Sequence, residues 1–585
     1  MKKRLTVLAA SCAVGLALSS TSSTAHADAM ELTSDAPTSQ LLDHLPDVVP
    51  GEIVVDIRDD LSDADIERLG NDFHIALRDN SPNVKHDGNI AVADVDSSRL
   101  EEIISRLVKD PRVEAAEPVI IARALFTPND PKFGEQWHMT RVGAERAWEY
   151  ACGQGVTVAV VDTGIACYDG DGFAKGTDLA GTACVRGYNF VGNNEMAADD
   201  QGHGTHVAGT IAQTTNNGVG VAGLAHCAKL MPVKVLSKQG WGTMANVAEG
   251  IRWAADHGAQ IINLSLGAPI KSKVVANAVK HAYDNGVVIV AAAGNSGKSV
   301  GYPAAYPEVI AVSATDRNDK IAWFSSRGPE VAIGAPGVAV TQQTICDAGK
   351  NKCEQWGVFS GTSMASPHVA AAAALLVGQG VTSPDAVRDV LQATANLQDD
   401  KNLFGAGILD AGKAVTHTHF AHTAVRLLVL LGLAYVVARQ IKKKGGAVER
   451  GAGKIVGALL AGVGLLPILP LLGVPPRAGS LRWLTELAMR PVGEWDLLLL
   501  PSMHRWLLLA SAAPTFFLTV FLFGSRRLRG ALGGYALGSA ALCVQLALSG
   551  ETLFAMGPFM LRVFCALNAA LSFWVARMAL DAKRT

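Results

Sequence analysis

Thr157-Val-Ala-Val-Val-Asp-Thr-Gly-Ile165 is the stretch on which the fold turns. Val158 to Val161 are apolar without alternation, and the run ends in Asp162 and Gly164. A strand apolar on both faces is one buried on both faces, as in a parallel sheet with helices above and below. Asp162 then falls at the carboxyl edge of the strand, where open α/β sheets gather their binding and catalytic groups. Two other segments complete the pattern. His203-Gly-Thr-His-Val-Ala-Gly209 sets a histidine beside glycine at the start of an apolar helix. Gly361-Thr-Ser-Met-Ala-Ser-Pro-His368 leads into the apolar run Val369–Leu376, which predicts a buried helix with Ser363 near its N-terminus. Free backbone N–H groups at such a terminus face a developing anion.

The three residue types belong together chemically. A serine hydroxyl is a weak nucleophile until a neighbouring base takes its proton. A neutral imidazole has a pKa suited to that task. A buried carboxylate holds the imidazole in the right tautomer and stabilises the imidazolium that forms. His206, three residues past His203, faces elsewhere on the helix and is expected to be a packing residue.

These motifs, with Ala292-Ala-Gly294-Asn295-Ser296, resemble those of the subtilisin-like serine proteases, the subtilases, over residues 128–415. The resemblance implies a fold class: an α/β parallel sheet with helices on both faces. Strands are expected near Lys229–Leu236, Gln260–Ser265, Val287–Ala291 and Val309–Ala314, and helices near Ala245–Asp256, Lys273–Asn285 and Ala365–Gly378. It also implies roles. Ser363 is the nucleophile, His203 the base and then the acid, and Asp162 its orienting carboxylate. Asn295 and the Ser363 N–H form the oxyanion hole. Ser265-Leu266-Gly267 resembles the segment that pairs with substrate backbone, a β-augmentation largely indifferent to sequence. Gly301 matches the floor of the main specificity pocket. With no acid evident there, cleavage after large apolar residues is expected.

Catalysis needs no cofactor on this reading, but the resemblance implies structural calcium. Thr215, Asn217, Val219 and Val221 resemble a calcium loop, with Asp178 and Asp130 as candidate carboxylates; hard cations favour such oxygen donors. One residue is inserted between His203 and this loop relative to the familiar spacing.

The flanks read separately. Residues 1–27 form a signal peptide pattern: Lys2, Lys3 and Arg4, an apolar stretch Leu5–Leu18, and Ala25-His26-Ala27. Within 28–127, a core of about 50–121 alternates strand and helix signals: strands at Gly51–Ile57, Asn89–Val95 and Val113–Ile121, and helices opened by Ser62-x-x-Asp65 and by a capping box at Ser98-x-x-Glu101. This α+β module resembles the subtilase inhibitor propeptide, an intramolecular partner released by cleavage near Ala122–Thr127. Six cysteines lie in the protease region: Cys152, Cys167, Cys184, Cys227, Cys346 and Cys353. An even set in an exported domain predicts up to three disulfides. Cys346 and Cys353 flank a short polar loop they would close; the other four leave three connectivities open.

Charge divides the chain. From Ala424 to Thr585 there are 18 basic and 6 acidic residues, against 33 and 47 before it. The balance of −2 overall argues against nucleic acid as a partner. The acidic front and basic apolar tail point instead to a bilayer. After a linker at 416–424, carrying His417, His419 and His422, the region 425–585 predicts an all-α transmembrane bundle of about five spans. They are Val425–Ile441, Ile455–Val474, Trp506–Phe523, Leu532–Leu548 and Leu553–Trp574, with Trp483 and Trp495 on an outer-surface segment. Twelve basic residues then lie in the inner loops and four in the outer ones, which places the protease on the extracytoplasmic side, periplasmic or extracellular. Arg562 falls inside the last span. The leading expectation is a membrane-tethered endopeptidase acting on polypeptides. The alternatives are a membrane sensor or transporter regulated by its protease, and a released protease whose tail is a sorting element.

Overall fold

The computed structural model describes residues 48–80, 89–120, 127–170, 172–345, 356–448, 451–466, 487–495, 508–525, 528–549 and 557–582. The chain divides into two compact units, Met1–Ala124 and Leu125–Thr585.

In the first unit the order is β1 (Val48–Ile57), α1 (Asp63–Phe73), β2 (Arg78–Asp79), β3 (Asn89–Asp94), α2 (Leu100–Leu107) and β4 (Val113–Ile120). The strands form an antiparallel sheet in the order β2-β3-β1-β4. Alternation along β1 turns Ile53, Val55 and Ile57 inward, where they meet Leu69, Phe73, Ile103, Ile104 and Leu107 of the helices. At the start of α1, the Asp65 carboxylate accepts both the N–H and the hydroxyl of Ser62. The capping box expected at Ser98 does not form. Asp96 caps instead, accepting from the Ser98 N–H at 2.9 Å, because a single 3₁₀ turn precedes α2. The two-residue β2 is too short to leave a periodic signal.

The second unit carries the sheet announced by Thr157–Ile165. Its strands are β5 (Thr157–Asp162), β6 (Tyr188–Asn189), β7 (Lys229–Lys234), β8 (Ile261–Leu264), β9 (Val288–Ala292), β10 (Val309–Thr315) and β11 (Val331–Pro336). All pair in parallel, in the order β11-β10-β9-β8-β5-β7-β6. β12 (Val340–Gln343) and β13 (Trp356–Phe359) make a separate antiparallel pair. Helices α3 (His203–Ala212), α4 (Met244–Asp256), α5 (Lys273–Asp284), α6 (Thr362–Gly378) and α7 (Pro384–Ala393) flank the sheet. The uninterrupted apolar run of β5 is explained by two cores. Val158 and Val160 join the one containing α3 and α6, while Ala159 and Val161 join the one containing α4 and α5. Strand order reverses at β5, with later strands added on both sides. A crevice opens at such a point beyond the carboxyl ends of the strands, and Asp162 lies there.

The remainder is helical: α8 (Ala411–Lys443), α9 (Gly453–Gly462), α10 (Ala513–Leu522), α11 (Arg529–Ser549) and α12 (Gly557–Ala579). Among the described residues three helices are long and apolar enough to cross a membrane: Ala411–Lys443, Arg529–Leu548 and Phe559–Ala579. At the second and third expected spans the described residues give only the ten-residue apolar helices α9 and α10; 467–474 and 506–507 lie outside the described residues. α9 and α11 approach through glycine: a Cβ on Gly457, Gly534 or Gly538 would strike backbone of the facing helix. The expected linker at 416–424 lies instead within the first half of α8, which runs unbroken for 33 residues. Asp410 caps its start, accepting from the Lys413 N–H at 2.7 Å, and the histidine-rich stretch contains no proline or glycine to end it.

Candidate active site

Asp162 ends β5 with its side chain fully buried. The turn that follows needs Gly164 at φ +108°, because a Cβ there would lie 2.6 Å from the Ala198 carbonyl oxygen. α3 is packed directly on this turn, and Gly204 permits it; a side chain at 204 would run into the Gly164 carbonyl. His203, the first residue of α3, is thereby brought to Asp162. Its Nδ1 lies 2.7 Å from Asp162 Oδ1. A carboxylate only accepts, so Nδ1 carries the proton and Nε2 presents a lone pair. Burial opposes the charged imidazole, yet the Asp162 carboxylate, by charge and hydrogen bond, and the Asp199 charge hold its pKa above the ordinary value.

Asp199 belongs to no sequence motif named above, yet it organises the site. Its Oδ1 accepts from the Thr163 hydroxyl and the N–H groups of Gln201 and Gly202. Its Oδ2 accepts from the Thr205 N–H and hydroxyl. Thr163 Oγ1 accepts in turn from the Gly204 N–H at 2.9 Å. One buried carboxylate thus clamps the β5 turn to the start of α3. The available signal was an acidic residue just ahead of a helix start, a common pattern. Lys234, at the end of β7, is buried and donates to the Thr163 carbonyl at 2.6 Å and to Asp200 at 2.7 Å.

Ser363 is the second residue of α6, so its N–H has no intrahelical acceptor. Its hydroxyl donates to the Ser265 carbonyl at 3.2 Å. Among the described residues no hydrogen bond joins it to His203; such contacts are often long without substrate. Pro367 has no N–H for the Ser363 carbonyl, and the Ser265 hydroxyl fills that vacancy at 2.8 Å. Asn263 Nδ2 donates to Ser265 Oγ, and Asn263 Oδ1 accepts from Ser366, so β8 and α6 are stitched together. Asn295 Oδ1 accepts from the N–H and hydroxyl of Thr362, which leaves its Nδ2 group as the available donor beside Gly361. Ser265, Leu266 and Gly267 continue past the end of β8 until Ala268 and Tyr302 exchange hydrogen bonds, both 2.8 Å. A Cβ on Gly301 would lie 3.1 Å from the Ala268 carbonyl oxygen, so this position lines the gap between the two segments.

His206 is buried, stacks on Phe359 and donates through Nε2 to the carbonyls of Val340 and Gly357, each 3.1 Å away. His368 and His138 form a second buried pair. His368 Nδ1 donates to the Met364 carbonyl, so its Nε2 accepts from His138 Nδ1 at 2.8 Å. Burial pushes His206 down to about 3, His368 down to about 4, and His138 well below the ordinary value.

In the loop 215–221, Asp178 is fully buried, and burial pushes its pKa up to about 7. Asn217 Nδ2 and the Val221 N–H donate to it, and among the described residues no cationic side chain pairs with it. Asn217 Oδ1 accepts from the Val219 N–H. Thr215 Oγ1 donates to the Gln213 carbonyl. Asp130 also faces the loop and, like Asp178, accepts one N–H at each oxygen, from Asn216 and Asn217. A buried carboxylate lacking a cation, beside a carbonyl-rich turn, fits a hard-cation site centred on Asp178 and Asn217.

Of the cysteines, Cys152 bonds to Cys227 and Cys167 to Cys184. Cys346 and Cys353 lie outside the described residues. In the helical region, Arg426 is buried, forms an ion pair with Glu494 and donates to Gln545 Oε1 at 3.0 Å. Arg490 donates to the Gly378 carbonyl at the end of α6. Arg426 falls inside the apolar pattern of the first expected span, which gives no local signal of its partners.

The Subtilase family model matches residues 153–407. A thermophilic serine proteinase of Bacillus sp. strain AK1 is 36% identical over 373 residues, covering 63% of this chain and 88% of that protein. Thermitase of Thermoactinomyces vulgaris is 40% identical over 297 residues, 50% of this chain and all of the relative. Subtilisin DY of Bacillus licheniformis is 42% identical over 268 residues, 45% of this chain and 91% of the relative. With these likenesses carried on a parallel sheet whose carboxyl edge joins Asp162 to His203, the chain belongs to the subtilase family and is a subtilisin-like serine endopeptidase.

Proposed function

We propose that Ser363, His203 and Asp162 hydrolyse polypeptides through an acyl-enzyme. The observation that carries this is the 2.7 Å bond from His203 Nδ1 to buried Asp162, which leaves Nε2 as the base. Ser363 Oγ adds to the scissile carbonyl and its proton passes to Nε2. Asn295 Nδ2 and the Ser363 N–H receive the oxyanion. The C–N bond then breaks, and His203 gives its proton to the leaving amine. Water, deprotonated by His203, releases the acyl group by the same path reversed.

The acyl side of the substrate lies along Ser265–Gly267, with one side chain directed to Gly301. Large apolar residues are preferred there. Peptide profiling should show Phe, Leu or Met before the cleaved bond; a sharp preference for Lys or Arg would overturn this assignment.

Residues 28–127 act as an inhibitor and folding helper that the enzyme removes near Ala122–Thr127. Asp178, Asn217 and Asp130, with the carbonyls of Thr215, Val219 and Val221, would hold a structural calcium, whose charge would offset the burial of the Asp178 carboxylate. The C-terminal helices tether the enzyme to a membrane with its protease domain extracytoplasmic. Exposed Phe516, Phe517 and Phe521 on α10, and Leu567, Leu571 and Trp574 on α12, support this, since a water-facing surface rarely carries so much apolar area. Ser363→Ala tests the scheme in one preparation. The variant should accumulate uncleaved at 122–127, sediment with membranes, hydrolyse no casein and fail to react with a serine-directed phosphonate. Normal processing would rule out self-cleavage, and a soluble full-length chain would rule out tethering.

A further inference from the structure

We propose that the cavity between the end of α6, the first half of α8 and segment 487–495 binds a phosphate group that carries a hydrogen-bond donor, as in an ethanolamine or glycerol phospholipid head. The inference rests on the membrane placement above. The cavity holds about 450 Å³ of empty space, its open mouth included. His419, His422 and Arg426 line it from α8, Gln379 from the end of α6, and Arg490 and Glu494 from the short segment.

Charge is the first pointer. Among the described lining residues two are cationic, Arg426 and Arg490, and one is anionic, Glu494. Their side chains are 7%, 14% and 10% exposed. Glu494 forms an ion pair with Arg426 and stands 4.0 Å from Arg490 Nη1. With the histidines neutral, one positive charge is left over, on Arg490. A cation withdrawn from water calls for an anion. Arg490 Nη1 donates to the Gly378 carbonyl at 3.0 Å, where the α6 dipole supplies only about half a negative charge. Among the described residues this is the one hydrogen bond Arg490 makes. A guanidinium has five N–H donors in a planar fork that matches phosphate oxygens.

The second pointer is an acceptor. Gln379 is 7% exposed, and its Nε2 donates to the Val415 carbonyl at 3.2 Å. Its Oε1 is buried with no hydrogen-bond partner among the described residues. A buried acceptor of this kind requires a donor. The occupant therefore brings anionic oxygens to Arg490 and an N–H or O–H to Gln379. A phosphodiester followed by an ammonium or a hydroxyl does both, whereas a trimethylammonium head brings no donor. Position agrees with a lipid source. Counting back from Lys443 the roughly 20 residues that cross the hydrocarbon reaches the turn from His422 to Arg426. The cavity thus lies at the level of the headgroups.

The test uses the full-length Ser363→Ala chain, stripped of lipid in neutral detergent, and counts bound molecules by native mass spectrometry. The probes are dioleoyl phosphatidylethanolamine, phosphatidylglycerol and phosphatidylcholine, dioleoylglycerol, which lacks the phosphate, and inorganic phosphate. One ethanolamine or glycerol lipid should be retained per chain, about tenfold more tightly than the choline lipid, and dioleoylglycerol should not be retained. Arg490→Gln should weaken retention by about tenfold or more, and Gln379→Met should bring the choline lipid level with the other two. Inorganic phosphate retained in place of the lipids assigns the same groups to a free ion. Equal retention of all four lipids, or retention unchanged in both variants, overturns the proposal. A chain soluble without detergent counts against the membrane placement itself. A membrane-embedded chain that keeps neither lipid nor phosphate overturns this inference alone.

Discussion

Asp162→Asn should lower kcat by about 10⁴-fold with little change in KM. The carboxylate contacts no substrate in the proposed scheme; it fixes the proton on Nδ1 and meets the charge that His203 acquires. An amide in its place donates as readily as it accepts, so the ring loses its assigned tautomer, and the developing imidazolium loses its counter-charge. The pH profile supplies a second readout. His203 must be neutral to act as base, and its pKa is raised, so kcat/KM in the wild type should climb through a midpoint above the ordinary imidazole value. Without the Asp162 charge, burial prevails and the acid limb of the residual activity should move to lower pH. A limb that stays in place would mean another group sets it. An unchanged thermal midpoint would separate this loss from misfolding.

Acid should destabilise the protease domain steeply, through histidines that take no part in the proposed chemistry. His138, His206 and His368 are buried neutral, with pKa values depressed below the unfolded value of about 6.5. Above that value neither state is protonated and the three contribute no pH dependence. As pH falls below it, the unfolded chain takes up protons that the native state refuses. Stability is therefore lost on acidification, by about 1.4 kcal/mol per pH unit for each histidine. The three together remove about 4 kcal/mol between pH 8 and pH 5.5, a large share of the stability of an ordinary domain. His203 acts in the opposite sense, because its folded pKa is raised, and offsets part of this. Urea midpoints of the Ser363→Ala chain, which cannot digest itself, give the slope directly. His138→Gln should lower stability at pH 8 yet flatten the dependence. A midpoint indifferent to pH between 8 and 5.5 would refute the account.

The legible parts of the chain were those where one local pattern has one physical solution. Val158–Val161 has no polar face, so it had to be covered on both sides. Gly204 and Gly164 mark close approaches that no other residue permits. β7 to β10 and α4 to α6 lie within a few residues of expectation for the same reason, whereas β6, β11, β12, β13 and α7 had no expectation. Asp199 was illegible because its importance comes from five donors gathered only by the fold. The linker at 416–424 was inferred from polar residues, but a helix tolerates exposed threonine and histidine when its start is capped and nothing interrupts it. Arg426 was hidden by the apolar average around it, although its partners Glu494 and Gln545 are far along the chain.

That continuous helix has a mechanical consequence. On the proposed placement, about 20 of its 33 residues are needed to cross the hydrocarbon. The first turns, with Ala411, Ala414, Val415 and Thr418, are already embedded in the protease. Little slack remains, so the cleft rides close to the lipid surface at a set height and compass bearing. One residue inserted after Thr418 would swing the enzyme by about 100° around the helix axis, whereas seven would restore its heading and raise it by about 10 Å. Chains anchored in the same bilayer would then meet the cleft at high local concentration, and freely diffusing ones would not.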